Sequence, residues 1–209
     1  MSETKNVLMT ELKGFANPVI ARRLKDKGAR VIGCDPVIMV DGEDEGVETV
    51  AWGSPAEVVT RAVEWFGGRL DAIVISSAMP APRIRVEDLT VEVLTPYFVR
   101  LAAESLAFAG AAVKAMRPHK AGRIVFGSSS GPIGGIPGFA AYASARAAIN
   151  GVVRTLALEV ASDGISVNAV VRISSRPRPT IPRRCSPIRS RDRSCSRACR
   201  WDGWVKPKR

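Results

Sequence analysis

Apolar and polar positions change rhythm repeatedly along the first 171 residues. Short apolar, β-branched runs bounded by Gly, Pro, Asp or Ser predict strands, and longer runs with apolar residues three and four apart predict helices. Asn6–Thr10 reads as a strand, followed by a helix near Pro18–Lys27. Ala29–Cys34 is a second strand, stopped by Asp35-Pro36. Asp41–Glu48 reads as an acidic loop, Val47–Ala51 as a third strand and Pro55–Phe66 as a helix. Asp71–Ser76 is a strongly β-branched strand, and Val86–Met116 is one long helix rich in Ala and Leu. Arg123–Gly127 is a strand, Phe139–Ser162 a helix and Ile165–Val171 a strand. This alternation predicts an α/β fold, a Rossmann-like doubly wound parallel sheet with helices on both faces. Ligands of such sheets bind beyond the carboxyl ends of the strands. The turns after Thr10, Ser76 and Ser128 all open on that edge.

Charge divides the chain in two. The formal net charge of +11 lies entirely in residues 172–209, which hold 13 Lys/Arg and 2 Asp/Glu. Residues 1–171 hold 18 of each sign and are neutral, so the basic pI says nothing about the part that should fold. Three of the four cysteines also fall in the tail, at Cys185, Cys195 and Cys199, without a companion histidine, so no metal site is expected. The single histidine, His119, sits in a polar turn and reads as a solvated residue. The first ten residues lack a signal-peptide layout, and no apolar run reaches the ~18 residues needed to span a bilayer. A cytoplasmic protein with no membrane or nucleic-acid partner is the expectation.

The candidate chemistry lies between Gly122 and Val170. Ser129 is followed after twelve residues by Tyr142 and after three more by Arg146. A free tyrosine, with a pKa of about 10, is too weak a base near neutrality. A cation within ~4–6 Å favours the phenolate, and Arg146 stands one helical turn beyond Tyr142 on the same face. Arginine keeps its charge at any working pH.

With the GRIVFGSSS and ISVNAV segments, this constellation resembles the short-chain dehydrogenase/reductase superfamily over residues 5–171. The cofactor half departs from it. Dinucleotide-binding members carry T-G-x-x-x-G-x-G after the first strand, where glycines let backbone approach the diphosphate. Here the segment is Thr10-Glu11-Leu12-Lys13-Gly14-Phe15-Ala16-Asn17, and Glu11, Phe15 and Asn17 stand at the three glycine positions. The family's Asn-Asn-Ala-Gly is replaced by Ser76-Ser77-Ala78-Met79, and its relay asparagine is missing near Leu101. Asp35 is either a ribose ligand or, by preference, a solvated strand-end residue.

These departures resemble one branch, the halohydrin dehalogenases, with motifs T-x4-[FY]-x-G and S-x12-Y-x3-R. The second is complete in Ser129, Tyr142 and Arg146; the first is met by Thr10 and Phe15 but ends on Asn17. The resemblance implies a lyase that uses no cofactor and no metal. Ser129 orients a substrate hydroxyl, Tyr142 removes its proton, and the alkoxide closes an epoxide as halide leaves into a pocket beside Thr10 and Phe15. The partners implied are a small haloalcohol or epoxide and a halide. Pro80–Arg85 is expected at the substrate entrance. A nicotinamide-dependent oxidoreductase and a non-catalytic relative stay open as alternatives.

Residues 172–209 have no helical or strand period, hold five prolines, and cannot supply the closing elements of such a fold. They read as a second region, either a disordered basic arm or, by preference, a segment shifted by one base near Val171. In the shifted frame Val171–Ser174 permits Pro-Asn-Phe, and Ala198–Val205 permits Val-Pro-Leu-Gly-Arg-Met-Gly. Both words are typical of the resembled proteins. The expectation is that the chain as written folds poorly and has little activity, whereas the restored frame is active and a homo-oligomer.

Overall fold

A computed structural model of the chain describes residues 4–14 and 16–172. Phe15 and the tail from residue 173 lie outside the described residues, and with them the Phe15 side of the halide pocket and both readings of the tail. Seven strands form one sheet in the order β3-β4-β2-β1-β5-β6-β7. They are β1 (Asn6–Thr10), β2 (Arg30–Cys34), β3 (Gly42–Asp44), β4 (Val47–Thr49), β5 (Ala72–Ile75), β6 (Gly122–Ser129) and β7 (Ile165–Arg172). All neighbouring pairs are parallel except β3 with β4. The helices are α1 (Asn17–Asp26), α2 (Pro55–Trp65), α3 (Val91–Phe98), α4 (Glu104–Met116), the single turn α5 (Gly131–Gly134) and α6 (Ala140–Glu159).

The β1 residues show why both faces need cover. Leu8 packs into the large cluster with Ile32, Ile73, Phe108, Ile124 and Phe126. Its neighbours Val7 and Met9 point the other way, into a cluster with Ala21 of α1. Period-two alternation with apolar residues on both faces is the signature of a strand buried between two helical layers. This is the Rossmann-like doubly wound fold that the sequence predicts. The start of α2 is fixed locally. Ser54 accepts from the Glu57 N–H, Glu57 accepts from the Ser54 N–H at 3.0 Å, and Pro55 opens the first turn.

Two segments differ from expectation. The acidic stretch Asp41–Glu48 is a hairpin, with Glu43 paired to Glu48 across a two-residue turn at Glu45 (φ 48) and Gly46 (φ 79). Two consecutive left-handed residues make the turn that matches strand twist. The long helix from Val86 is divided into a 3-10 turn at Val86–Asp88, α3, a π-helical stretch Val99–Ala103, and α4. Pro96 lies inside α3, where it contributes no N–H. Among the described residues no helix is long and apolar enough to cross a membrane.

Candidate active site

The carboxyl ends of β1, β5 and β6 meet the start of α6, and the sequence candidates divide among them. β6 delivers Ser129 and α6 delivers Tyr142 and Arg146. Of the three consecutive serines, Ser128 is buried and donates to Asn150 at 3.1 Å. Ser129, on the opposite face of the strand, accepts the Gly131 N–H at 3.1 Å, which leaves its own O–H to donate. A Cβ placed on Gly131 would lie 3.4 Å from Ser129 Oγ and 3.8 Å from Tyr142 Cε1, so serine and phenol border one small space.

Arg146 is 7% exposed. Its Nε donates to the Tyr142 hydroxyl at 3.3 Å. One terminal nitrogen donates to Ser77 Oγ and to the Gly127 carbonyl, both at 3.2 Å, and the other to the Ser77 carbonyl. The guanidinium is thus held by the loop after β5 and by β6 while it faces the phenol. Ser77 in turn takes a hydroxyl contact from Ser105 at 3.3 Å, and Ser105 donates to the Leu101 carbonyl at 3.2 Å in the π-helical stretch. Ser77, Ser105 and the Leu101 carbonyl escaped the sequence reading. Their one visible signal is Ser77 itself, a small polar residue in place of an asparagine.

The first turn is built around Glu11, which adopts φ 54 and is 6% exposed. Its carboxylate pairs with Arg100 and accepts the Ala78 N–H. Burial raises the Glu11 pKa above its ordinary 4.5 more than Arg100 lowers it, and Asp35 adds to the rise. Asn17 is also buried: its amide donates to the carbonyls of Thr10 (3.1 Å) and Glu11 (2.7 Å) and accepts from Ser76 Oγ at 3.3 Å. That amide holds the turn that glycine would otherwise allow. Thr10 donates its hydroxyl to the Ser76 carbonyl at 2.7 Å and accepts the Ser76 N–H at 2.9 Å, clamping β1 to β5. Any part Thr10 has in an anion pocket is therefore as a wall.

Asp35 corrects the sequence reading. It is 6% exposed rather than solvated, and its carboxylate accepts the N–H groups of Lys13 (2.9 Å) and Val37 (3.3 Å). Each of its oxygens thus already holds a backbone donor. With Glu11 and Asn17 filling the turn, the residues present do not fit a dinucleotide: a diphosphate there meets a fixed carboxylate and an amide. Cys34, at the end of β2, is fully buried, and that burial pushes its thiol up to about 12, away from the thiolate. Among the described residues no group of three metal-ligating side chains gathers. Pro80–Arg85 lies over the loop before α6, with the Ile84 N–H on the Gly138 carbonyl at 2.8 Å and Arg83 over the Phe139 ring.

Comparison with known proteins agrees with this architecture. A family profile described as enoyl-(acyl carrier protein) reductase matches residues 13–176. A curated 3-oxoacyl-[acyl-carrier-protein] reductase of Rickettsia felis is 44% identical over 59 residues, 28% of this chain and 24% of that protein. The match thus spans about a quarter of that relative's length. A solved structure described as a dehalogenation enzyme is 32% identical, with a TM-score of 0.75, covering 81% of this chain and 72% of its own. A halohydrin dehalogenase bound to ethyl (2S)-oxiran-2-ylacetate is 24% identical, with a TM-score of 0.73 over 79% of this chain and 68% of its own, a likeness of fold alone.

Proposed function

This chain belongs to the short-chain dehydrogenase/reductase superfamily, and we propose that within this superfamily it is a cofactor-independent carbon–halide lyase of the halohydrin dehalogenase kind. The observation that carries the reading is the buried Arg146, whose Nε faces the Tyr142 hydroxyl while its other nitrogens are spent on Ser77 and Gly127. In the oxidoreductases of this superfamily a lysine at that position also binds the nicotinamide ribose; here the cation is committed to the phenol. The permanent charge favours phenolate. Ser129 donates to the hydroxyl oxygen of a vicinal haloalcohol and orients it. Tyr142 takes the hydroxyl proton. The alkoxide oxygen forms a bond to the neighbouring carbon, and the carbon–halogen bond breaks with its electron pair on the departing halide. The product is an epoxide, and the reverse reaction opens an epoxide with a small anion.

The test is halide release from a small vicinal haloalcohol, measured for the 209-residue chain and for the version in which the one-base shift near Val171 is restored. Turnover is expected of the restored-frame version and little of the 209-residue chain, with a loss of roughly 10²–10⁴-fold when Tyr142→Phe is made in the restored frame. Turnover that survives Tyr142→Phe defeats the assignment. A second reading, a nicotinamide-dependent reductase, is favoured by the family profile and by the Rickettsia felis relative. Tight binding of NADH or NADPH, read by nicotinamide fluorescence, selects it instead.

A further inference from the structure

We propose that Glu11 is a tethered anion that plugs a preformed diphosphate-binding hole, and that the Glu11–Arg100 pair sets the cofactor specificity of this chain. The inference rests on the cofactor-free reading above and names the residues responsible for it. Glu11 carries two penalties at once. Its φ of 54 is a backbone conformation that side chains disfavour, and its carboxylate is nearly sealed from water. What offsets them is a pair of donors on two other segments of the same sheet edge. The Ala78 N–H follows β5, and the Arg100 guanidinium projects from the π-helical stretch.

Arg100 does not depend on Glu11 for its position. It also pairs with Glu104 one turn along, and its guanidinium lies 5.0 Å from the centre of the Trp52 ring. Trp52 is itself packed against Phe108 of the core at 5.8 Å. A cation braced by a carboxylate and an aromatic face stays in place when Glu11 is shortened. A backbone N–H and a fixed guanidinium converging on one point form an oxyanion site. Here the occupant is the protein's own side chain. An external diphosphate must displace it, at the cost of an unpaired buried carboxylate.

The experiment titrates the dilute 209-residue chain with NADH and NADPH in separate arms, read by nicotinamide fluorescence. The parent is expected to show no saturable binding up to millimolar cofactor. Glu11→Gly empties the hole and relieves the backbone, and affinity for at least one cofactor should rise roughly tenfold or more. Adding Arg100→Gln to Glu11→Gly should remove that gain. Two results overturn the inference and leave the lyase reading standing. One is a cooperatively melting Glu11→Gly variant with no gain; the other is a gain that persists without Arg100. Micromolar binding by the parent overturns both. If Glu11→Gly does not melt cooperatively, Glu11→Asn, which tolerates the same φ and is both shorter and uncharged, must show a gain in the same direction; no gain there is equally fatal.

Discussion

At the residue scale the site depends on how one guanidinium is held. Arg146 spends its donors on Ser77, Gly127 and Tyr142, so its charge stays beside the phenol rather than swinging toward solvent. Removing a cation at that distance disfavours phenolate. Arg146→Gln should therefore raise the Tyr142 titration midpoint by about 1 pH unit or more. Ser77→Ala, which deletes one of the acceptors that brace the fork, should raise it by less. Ultraviolet absorbance of phenolate measures both, because the chain has two tyrosines and subtraction of the Tyr142→Phe curve isolates the relevant one. An unmoved midpoint in Arg146→Gln would mean that the arginine serves packing only. The spacing of Ser129, Tyr142 and Arg146 was legible because it is local: one strand end, one turn, one helix. Their support was not. Ser77 reaches Arg146 across 69 residues, and Arg100 reaches Glu11 across 89. Asp35 was misread for a related reason. Composition treats a carboxylate as hydrated, and only the fold reveals that backbone N–H groups of Lys13 and Val37 have replaced the water.

At the scale of elements, strands were the most legible feature, since β-branched runs between turn residues have few other readings. β4 was legible as the strand Val47–Ala51, but β3 and its pairing with β4 were hidden by acidic composition. The break in the long helix was hidden because Val99–Ala103 is as apolar and helix-prone as its flanks. Glycines show how far local rules reach. Gly164 turns the chain from α6 into β7 at φ 70, and a Cβ there would strike the Lys120 carbonyl. Gly151 lies in the interior of α6 with nothing within 4 Å of an added Cβ. The same substitution should thus have opposite signs. Gly151→Ala should stabilise by about 0.5–1 kcal/mol through helix propensity. Gly164→Ala should destabilise by more than about 1 kcal/mol, since backbone strain and collision act together. Denaturant melts of the two variants decide it, and equal signs would mean that the β7 entry turn is not as described.

At the scale of the molecule the unresolved matter is what covers β7. It pairs with β6 along its full length, from Gly122 with Ile165 to Ser129 with Arg172. Among the described residues no strand lies on its outer side. Val170, two residues before the end of this eight-residue strand, is 63% exposed. A long edge without a neighbouring strand among the described residues is a template for pairing with another chain. The family match stops at residue 176, five residues into the basic, proline-rich stretch that begins at residue 172. We propose that one lost or gained base near Val171 accounts for both facts, since the neighbouring frame permits the words Pro-Asn-Phe and Val-Pro-Leu-Gly-Arg-Met-Gly. The coding DNA should show them. The protein translated from the restored frame should then remain monodisperse in light scattering at concentrations where the 209-residue chain self-associates, because its own closing elements would cover β7. If the DNA permits neither word, or if the 209-residue chain stays monodisperse at those concentrations, the tail belongs to this protein as written and the edge of β7 is protected in some other way.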